Sequence, residues 1–507
     1  MDTNDTAVDD TVTRGNGRSP SLAALLSFLW PGLGQLYLRN RRAAAIFVVP
    51  SLVVLAIVAY ALRQGPAVFV ARFADPNFAL GALFIVLAFG AWRLAAVIHG
   101  FATGEPRRSH RIIDRAAIVG LVVIITVTHL TAGYILAISY NAENNAFNPH
   151  NDLSNQLGFN DSPSPSAVAS QSPSPGSVPL GSPTPSESPT PTGTPVGPNQ
   201  RVTMLFLGVD DSTGTKQCDR AFTTSYNAIM IVSYDPKTNS IAMVSVPREW
   251  AGFPMYYPRV NDGIGRNYEI AYLPNNVRSG GFPSPDSPPV TLIKEVQYLV
   301  GIKIDYYAVM ITAGFMRTID AIGGIDIVNP AAIDDPVYDN LVCGPPGFKL
   351  PAGPQHLTGA QAFAYVASRR GYVGASYNND YSRISRQQQV MLALLHKMAS
   401  PDELPQIPGL IQTVGSSIVT GSLDPSNPFE PSMIADYVNI GDNVPSENIT
   451  QVILQPKLPG TYAIQNIPGW GDSICPFLPN IAKESIAVFG HDSLYYGKPL
   501  PANVCPV

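Results

Sequence analysis

Residues 226–247, YNAIMIVSYDPKTNSIAMVSVP, decide how the folded part of this chain is read. Two apolar, β-branched runs, 226–235 and 240–247, flank the turn-forming cluster PKTN and predict paired strands. Upstream, VTMLFLG (202–208) reads as a buried strand ending at a glycine turn. Downstream, TLIKEVQYLVG (291–301) has helical spacing and YYAVMI (306–311) reads as a strand. GAQAFAYVASRR (359–370) and ISRQQQVMLALLHKMA (384–399) read as helices. Strands alternating with helices predict an α/β domain over residues 201–507, a mixed sheet covered by helices.

The rest of the chain is different. Only 14% of the 507 residues are charged and 48 are proline, against roughly 25% charged and 5% proline in ordinary soluble chains. Three stretches, about 43–62, 78–99 and 116–139, are long and apolar enough to span a bilayer core. Before them, residues 21–38 are interrupted by Pro31, Gly32 and Gly34 and read as an interfacial or re-entrant hairpin, with a fourth span as the alternative. The membrane region is therefore 21–140, after a cytoplasmic tail of residues 1–20. The apolar segments are too many and start too late for a removable signal peptide. Arg39, Arg41 and Arg42 precede the first span, and Arg107, Arg108, Arg111 and Arg115 separate the second from the third. Positive-inside logic puts both clusters in the cytoplasm and everything after residue 140 outside. Arg93, within the second span, reads as snorkelling toward the cytoplasmic end. Residues 141–200 read as a spacer, disordered through SPSPSAVASQSPSPGSVPLGSPTPSESPTPTGTPVGPN (162–199). Extended, that stretch would reach on the order of 100 Å and hold the domain away from the bilayer.

Charge divides along the same line: residues 1–140 carry net +5 and the remainder net −10. The overall −5 excludes a nucleic-acid-binding surface. Cys218, Cys343, Cys475 and Cys505 all lie in the external part, where four cysteines permit two disulfides in three pairings. Cys475–Cys505 and Cys218–Cys343 is the preferred pairing, although the two sequence-distant cysteines could stay free. No CxxC or Cys/His spacing suggests zinc.

The chemical signal is arginine and carboxylate. No GxSxG is present, and His356 and His396 read as structural or exposed. In DYSRISRQQ (380–388), Arg383, Arg386 and Gln387 stand at i, i+3 and i+4, on one helix face. Two guanidiniums and an amide there suit a phosphate or pyrophosphate. Arg369 and Arg370 lie upstream, and Arg248 follows a strand in VPREW.

These motifs, together with LFLGVDD, RVND, YYAVMITAGFMRTIDAIGGIDIVNP and GPQHLTGAQAFAYVASRR, resemble the LytR-CpsA-Psr family of cell-envelope phosphotransferases. The resemblance runs from about Thr203 to Gln455. It implies an α-β-α sandwich with a hydrophobic groove for a polyprenyl-(pyro)phosphate lipid. It also implies transfer of a polyprenyl-pyrophosphate-linked glycopolymer to peptidoglycan, with Mg²⁺ (or Mn²⁺) at the pyrophosphate. By the same resemblance Asp210 is an acidic cation ligand, Arg248 the arginine after proline, and Arg259 the basic residue before Asn261. Arg369 is the second arginine of its helix motif, while Asp380, Arg383, Arg386 and Gln387 match D-x-x-R-x-x-R-Q. Three positions depart: Asn227 stands where the family has a second cation-binding aspartate, Glu249 replaces an aspartate, and Ala367 replaces an arginine that Arg370 would substitute. An amide oxygen carries no charge, so cation binding should weaken.

Arg248, Arg369, Arg383 and Arg386 are then expected to clamp the pyrophosphate, Gln387 to position it, and Asp210 with Asn227 to hold the cation. Asp380 is the expected base or Arg-orienting group, with Glu249 next. Arg259, Asn261 and Arg370 are expected to bind substrate. The enzyme would be a glycopolymer–peptidoglycan phosphotransferase (EC 2.7.8.-), with pyrophosphatase activity as a further expectation, anchored in the lipid bilayer of the cell membrane. A non-catalytic scaffold that binds lipid-linked polymer or wall is the alternative, motivated by Asn227, Glu249 and Ala367. A membrane-bound transcription regulator is a third reading, opposed by the external location and by the −10 charge.

Overall fold

The computed structural model describes residues 18–104, 111–146, 152–161, 199–210, 225–256, 269–336, 338, 347–369, 380–399, 417–430, 433–454, 464–467 and 471–502. They form two units.

In the first unit, α1 (Pro20–Leu29) and α2 (Leu33–Tyr37) precede α3 (Arg41–Ala61); α5 (Pro76–Ala102) and α6 (Arg111–Ala146) follow α4 (Pro66–Ala71). Three helices, Arg41–Ala61, Pro76–Ala102 and Asp114–Ile138, are long and apolar enough to cross a membrane. The ten residues of α1 extend about 15 Å, half a bilayer core. The break between α1 and α2 has a steric cause. Gly32 takes φ +102°, and a Cβ on Gly34 would lie 2.0 Å from the Ala23 carbonyl oxygen. Gln35 is buried and donates to Ala96 O at 2.8 Å, while Ser27 Oγ donates to Gln35 Oε1 at 3.1 Å. Arg93 Nη2 donates to Phe28 O at 2.7 Å, and the guanidinium lies over the Phe28 ring. The last carbonyls of a helix have no partner within it, so α1 supplies a ready acceptor.

The second unit is built on a six-stranded mixed sheet, in the order β10-β3-β2-β1-β4-β9. The strands are β1 (Val202–Asp210), β2 (Ser225–Asp235), β3 (Ser240–Ser245), β4 (Tyr306–Ile311), β9 (Ile418–Ser422) and β10 (Ile449–Ile453). The hairpin β2–β3 pairs antiparallel, as 226–247 predicts; β1–β4 and β3–β10 are parallel. Period-2 alternation gives each sheet face its own helices. Leu205, Leu207 and Val209 of β1 pack on one side with Leu292 and Val296 of α9 (Pro288–Val300) and Ile481 of α14 (Leu478–Phe489). On the other, Met230 and Met243 pack with Met391 of α12 (Asp380–Ala399) and Ile440 of α13 (Met433–Asn443). The result is an α-β-α sandwich. A satellite core joins α10 (Thr312–Ala321), α11 (Gly359–Ala367), α12 and the short strands β5 (Ile325–Asn329), β6 (Ile333–Asp335), β7 (Phe348–Leu350) and β8 (Gly353–Leu357).

Three expectations are corrected here. The first strand does not end at a glycine turn. β1 continues to Asp210, and the register shifts between Gly208 and Val209, a bulge that a glycine in a strand often marks. The helix predicted over 359–370 stops at Ala367, so Arg369 lies past its end. Residues 152–161, assigned to the spacer, belong to the folded unit. Leu153 and Leu157 of α7 (Asp152–Leu157) sit in the main core, and Phe159 stacks on Tyr307 with ring centroids 5.3 Å apart. Arg278 ties Asp161 at 3.1 Å. Beyond the Pro/Ser/Thr-rich stretch, Arg201 pairs with Asp235 and Asp492, each at 2.8 Å. Both flanks of 162–198 are thus fixed to one unit. Residues 162–198 themselves lie outside the described residues.

Candidate active site

The bulge sets Asp210 at the end of β1, opposite Ser225 of β2. Asp210 Oδ1 accepts from Thr312 Oγ1 at 3.0 Å, at the first residue of α10, and Oδ2 accepts from Asn227 Nδ2. Asn227 Nδ2 also donates to Ser225 Oγ at 2.9 Å, while its Oδ1 accepts from Arg248 Nη1. Arg248, two residues past Val246, is 6% exposed and lies 3.6 Å from Glu249. A carboxylate, an amide and a guanidinium are thereby joined in series.

α12 closes the site from the other chain direction. Arg383 is 3% exposed. Its charge and that of Arg248 both act on Asp210: burial pushes the carboxyl above the usual carboxylate range, opposed by the Thr312 hydrogen bond and by the two guanidiniums. Gln387 Nε2 donates to the Asn227 backbone carbonyl at 3.4 Å. Arg386 shares the predicted helix face but faces elsewhere. Its Nε donates to Tyr365 O at 2.6 Å and its Nη2 to Ser368 O, both at the end of α11. Ser368 Oγ in turn donates to Asp335 Oδ2 at 2.7 Å. Arg386 therefore holds the turn from which exposed Arg369 emerges.

Of the other expected residues, Asp380 is the first residue of α12, one turn before Arg383. Cys475 is buried and disulfide-bonded. Arg259, Asn261, Arg370, Cys218, Cys343 and Cys505 lie outside the described residues, as does the partner of Cys475.

Sequence reading missed Thr312 and Tyr272. Thr312 carried a signal, a hydroxyl directly after the strand YYAVMI. Tyr272 carried none. It ends a short 3₁₀ turn (Ile270–Tyr272) hung on the strand end by Ile270 N to Trp250 O at 2.8 Å and Ala271 N to Arg248 O at 3.2 Å. Burial pushes its phenol up, and the charges of Arg248, Glu269, Asp210 and Arg383 all act on it. Tyr338 likewise feels Asp210, with its phenol pushed up mainly by burial.

Among the described residues, Asp210 and Asn227 offer one carboxylate and one amide oxygen, each already accepting from protein donors, and no group of three or more His, Cys, Asp or Glu gathers; a divalent cation takes about six oxygens or more. What the cluster presents is two buried guanidiniums, Arg248 and Arg383, whose charges act on Asp210, with Glu249 beside Arg248 at 3.6 Å; guanidiniums are the groups suited to an anion.

The LytR_cpsA_psr family profile matches residues 181–467, more than half of the chain. The chain belongs to the LytR-CpsA-Psr family. Among curated relatives, the polyisoprenyl-teichoic acid–peptidoglycan teichoic acid transferase TagU of Bacillus cereus (strain AH820) is 26% identical over 228 residues, 45% of this chain and 63% of the relative. TagV of Bacillus subtilis (strain 168) is 25% identical over 218 residues, 43% and 49% of the two chains. The chain thus spans less than two thirds of the length of the curated relatives it matches. The crystal structure of B. subtilis TagV is similar over 57% of this chain and 96% of that one, with 21% identity and a TM-score of 0.42.

Proposed function

We propose that this LytR-CpsA-Psr protein transfers a glycopolymer from a polyprenyl-pyrophosphate carrier to peptidoglycan. The observation that carries the reading is the tie of buried Arg248 through Asn227 to Asp210 at the end of β1, with the charge of buried Arg383 also acting on that carboxylate. An acceptor sugar hydroxyl attacks the phosphorus bonded to the glycan. A phosphodiester forms, the P–O–P bond breaks, polyprenyl phosphate leaves, and the hydroxyl proton passes to a carboxylate, for which Asp380 is the proposed base. Arg248 and Arg383 neutralise the leaving group where charge develops. Arg369, beyond α11, completes the clamp, and Gln387 holds β2 against α12. Arg259, Asn261 and Arg370 are proposed to contact the substrate. Hydrolytic release of the carrier, a pyrophosphatase activity, would follow if water replaced the sugar.

The proposed topology puts the arginine clusters in the cytoplasm and the sandwich outside. It is supported by α4: the segment Pro66–Pro76, between two apolar helices, belongs to the second unit, where α4 packs against α13. Those two segments must lie on one side of the membrane, as three spans require.

The test is release of polyprenyl phosphate from a lipid-linked glycopolymer plus peptidoglycan acceptor by the full-length protein. Turnover should be lost in Arg383→Ala, by about 10²-fold or more. Retained lipid binding without any turnover by the unaltered protein would establish the scaffold instead.

A further inference from the structure

The amide of Asn227 is fully committed. Its two N–H groups go to Asp210 Oδ2 and Ser225 Oγ, and its oxygen accepts from Arg248. This orientation is enforced by its neighbours. Turning the amide over would set its NH₂ against the Arg248 guanidinium and its oxygen against the Asp210 carboxylate, both repulsive contacts. A divalent cation needs several oxygen donors turned toward one point. Here the amide oxygen is turned toward a guanidinium, and the sole carboxylate of the relay accepts from Thr312 and Asn227. Its charge is offset by Arg248 and Arg383. An added cation would have to break the Arg248–Asn227 bond and displace the Arg248 guanidinium from the amide oxygen.

An aspartate at position 227 would behave oppositely. Two carboxylates within hydrogen-bonding distance repel one another unless a proton or a cation lies between them. Asn227 removes that demand and uses the same position to join Arg248 to Asp210.

We propose that Asn227 makes this site independent of divalent cations, the pyrophosphate of its ligand being gripped by Arg248, locked in place through the Asp210–Asn227–Arg248 relay, together with Arg383. The inference rests on the functional reading above and adds to it how the anion is held. Arg248 thereby supplies the positive charge that a metal would otherwise bring, from a fixed position and without need of an ion.

The experiment uses the full-length protein in nanodiscs, with farnesyl pyrophosphate as the anionic probe and Mn²⁺ alone as the metal probe. Calorimetric affinity for farnesyl pyrophosphate should be the same in EDTA and in Mg²⁺, and Mn²⁺ alone should leave the protein without a bound, relaxation-broadened signal. In Asn227→Asp, folded by circular dichroism, Mn²⁺ binding should appear, and probe affinity should become about tenfold or more stronger with Mg²⁺ than with EDTA. Binding by the unaltered protein that collapses in EDTA and returns with Mg²⁺ would overturn the inference and leave the anion site standing. No probe binding under either condition would overturn the functional reading, and this inference with it. A folded Asn227→Asp protein that stays indifferent to metal would remove Asn227 as the determinant. If that variant does not fold, the titrations of the unaltered protein decide alone.

Discussion

Arg386 of α12 donates to the carbonyl oxygen of Tyr365 at 2.6 Å and so closes the C-terminus of α11 from a neighbouring helix. A second bond, to Ser368 O, continues the same cap, and the guanidinium lies 5.5 Å over the Tyr365 ring. Arginine near helix C-termini satisfies the last carbonyls in this way. The spacing of D-x-x-R-x-x-R-Q puts Arg383 and Arg386 on one face, yet only Arg383 acts on Asp210.

Arg386→Ala is therefore expected to act first on stability. Losing two charge-assisted bonds from a buried site should cost about 3 kcal/mol, visible as a lower urea midpoint. An unchanged midpoint with abolished turnover would make Arg386 a clamp after all.

Tyr272→Phe keeps the ring and removes the hydroxyl. The charges of Arg248, Glu269, Asp210 and Arg383 act on the phenol, so turnover should fall about tenfold, the worth of one hydrogen bond to a charged group. The melting temperature should hold. Turnover equal to the unaltered protein's would place Tyr272 outside the reaction.

Leu157→Ala tests whether residues 152–161 are part of the domain. The side chain is 2% exposed and packs in the main core. Truncation should cost about 2–4 kcal/mol. A residue in a solvated tether would give no change in the denaturation midpoint.

Asp305 carries a pH prediction. Burial pushes its carboxyl up, opposed by Lys303 and by the Thr203 backbone N–H, which donates to Oδ2 at 2.9 Å. A raised folded-state value means that the folded chain holds this proton more tightly than the unfolded one. The contribution is full below about pH 4, the ordinary aspartate range, and is lost as pH climbs through the raised value. Asp305→Asn, which can still accept from Thr203, should flatten that decline in urea titrations between about pH 4 and 7. An identical slope in both proteins would refute the assignment.

Much of the architecture was legible because its causes are local. The hairpin at 226–247 shows in its β-branched runs and turn cluster. The apolar helices show in their length. The end of α9 shows in Gly301, whose φ is +70°. Residues 152–161 were not legible, since a single short helix has no periodicity strong enough to announce a buried face. Gly208 reads as a turn, and only the pairing of β1 with β2, whose register shifts between Gly208 and Val209, shows the strand continuing through a bulge.

Composition and period within single segments are enough to say which could cross a bilayer, which could form strands, and that Arg383, Arg386 and Gln387 share a helix face. What each side chain meets depends on how the segments pack. Asp210, Asn227, Arg248 and Arg383 come from β1, β2, the end of β3 and α12, and strand order brings them together. A helical period fixes the direction in which a side chain leaves its helix, but not the neighbour that lies there. The neighbour gave Arg386 to the end of α11 and linked Asn227 to both a carboxylate and a guanidinium.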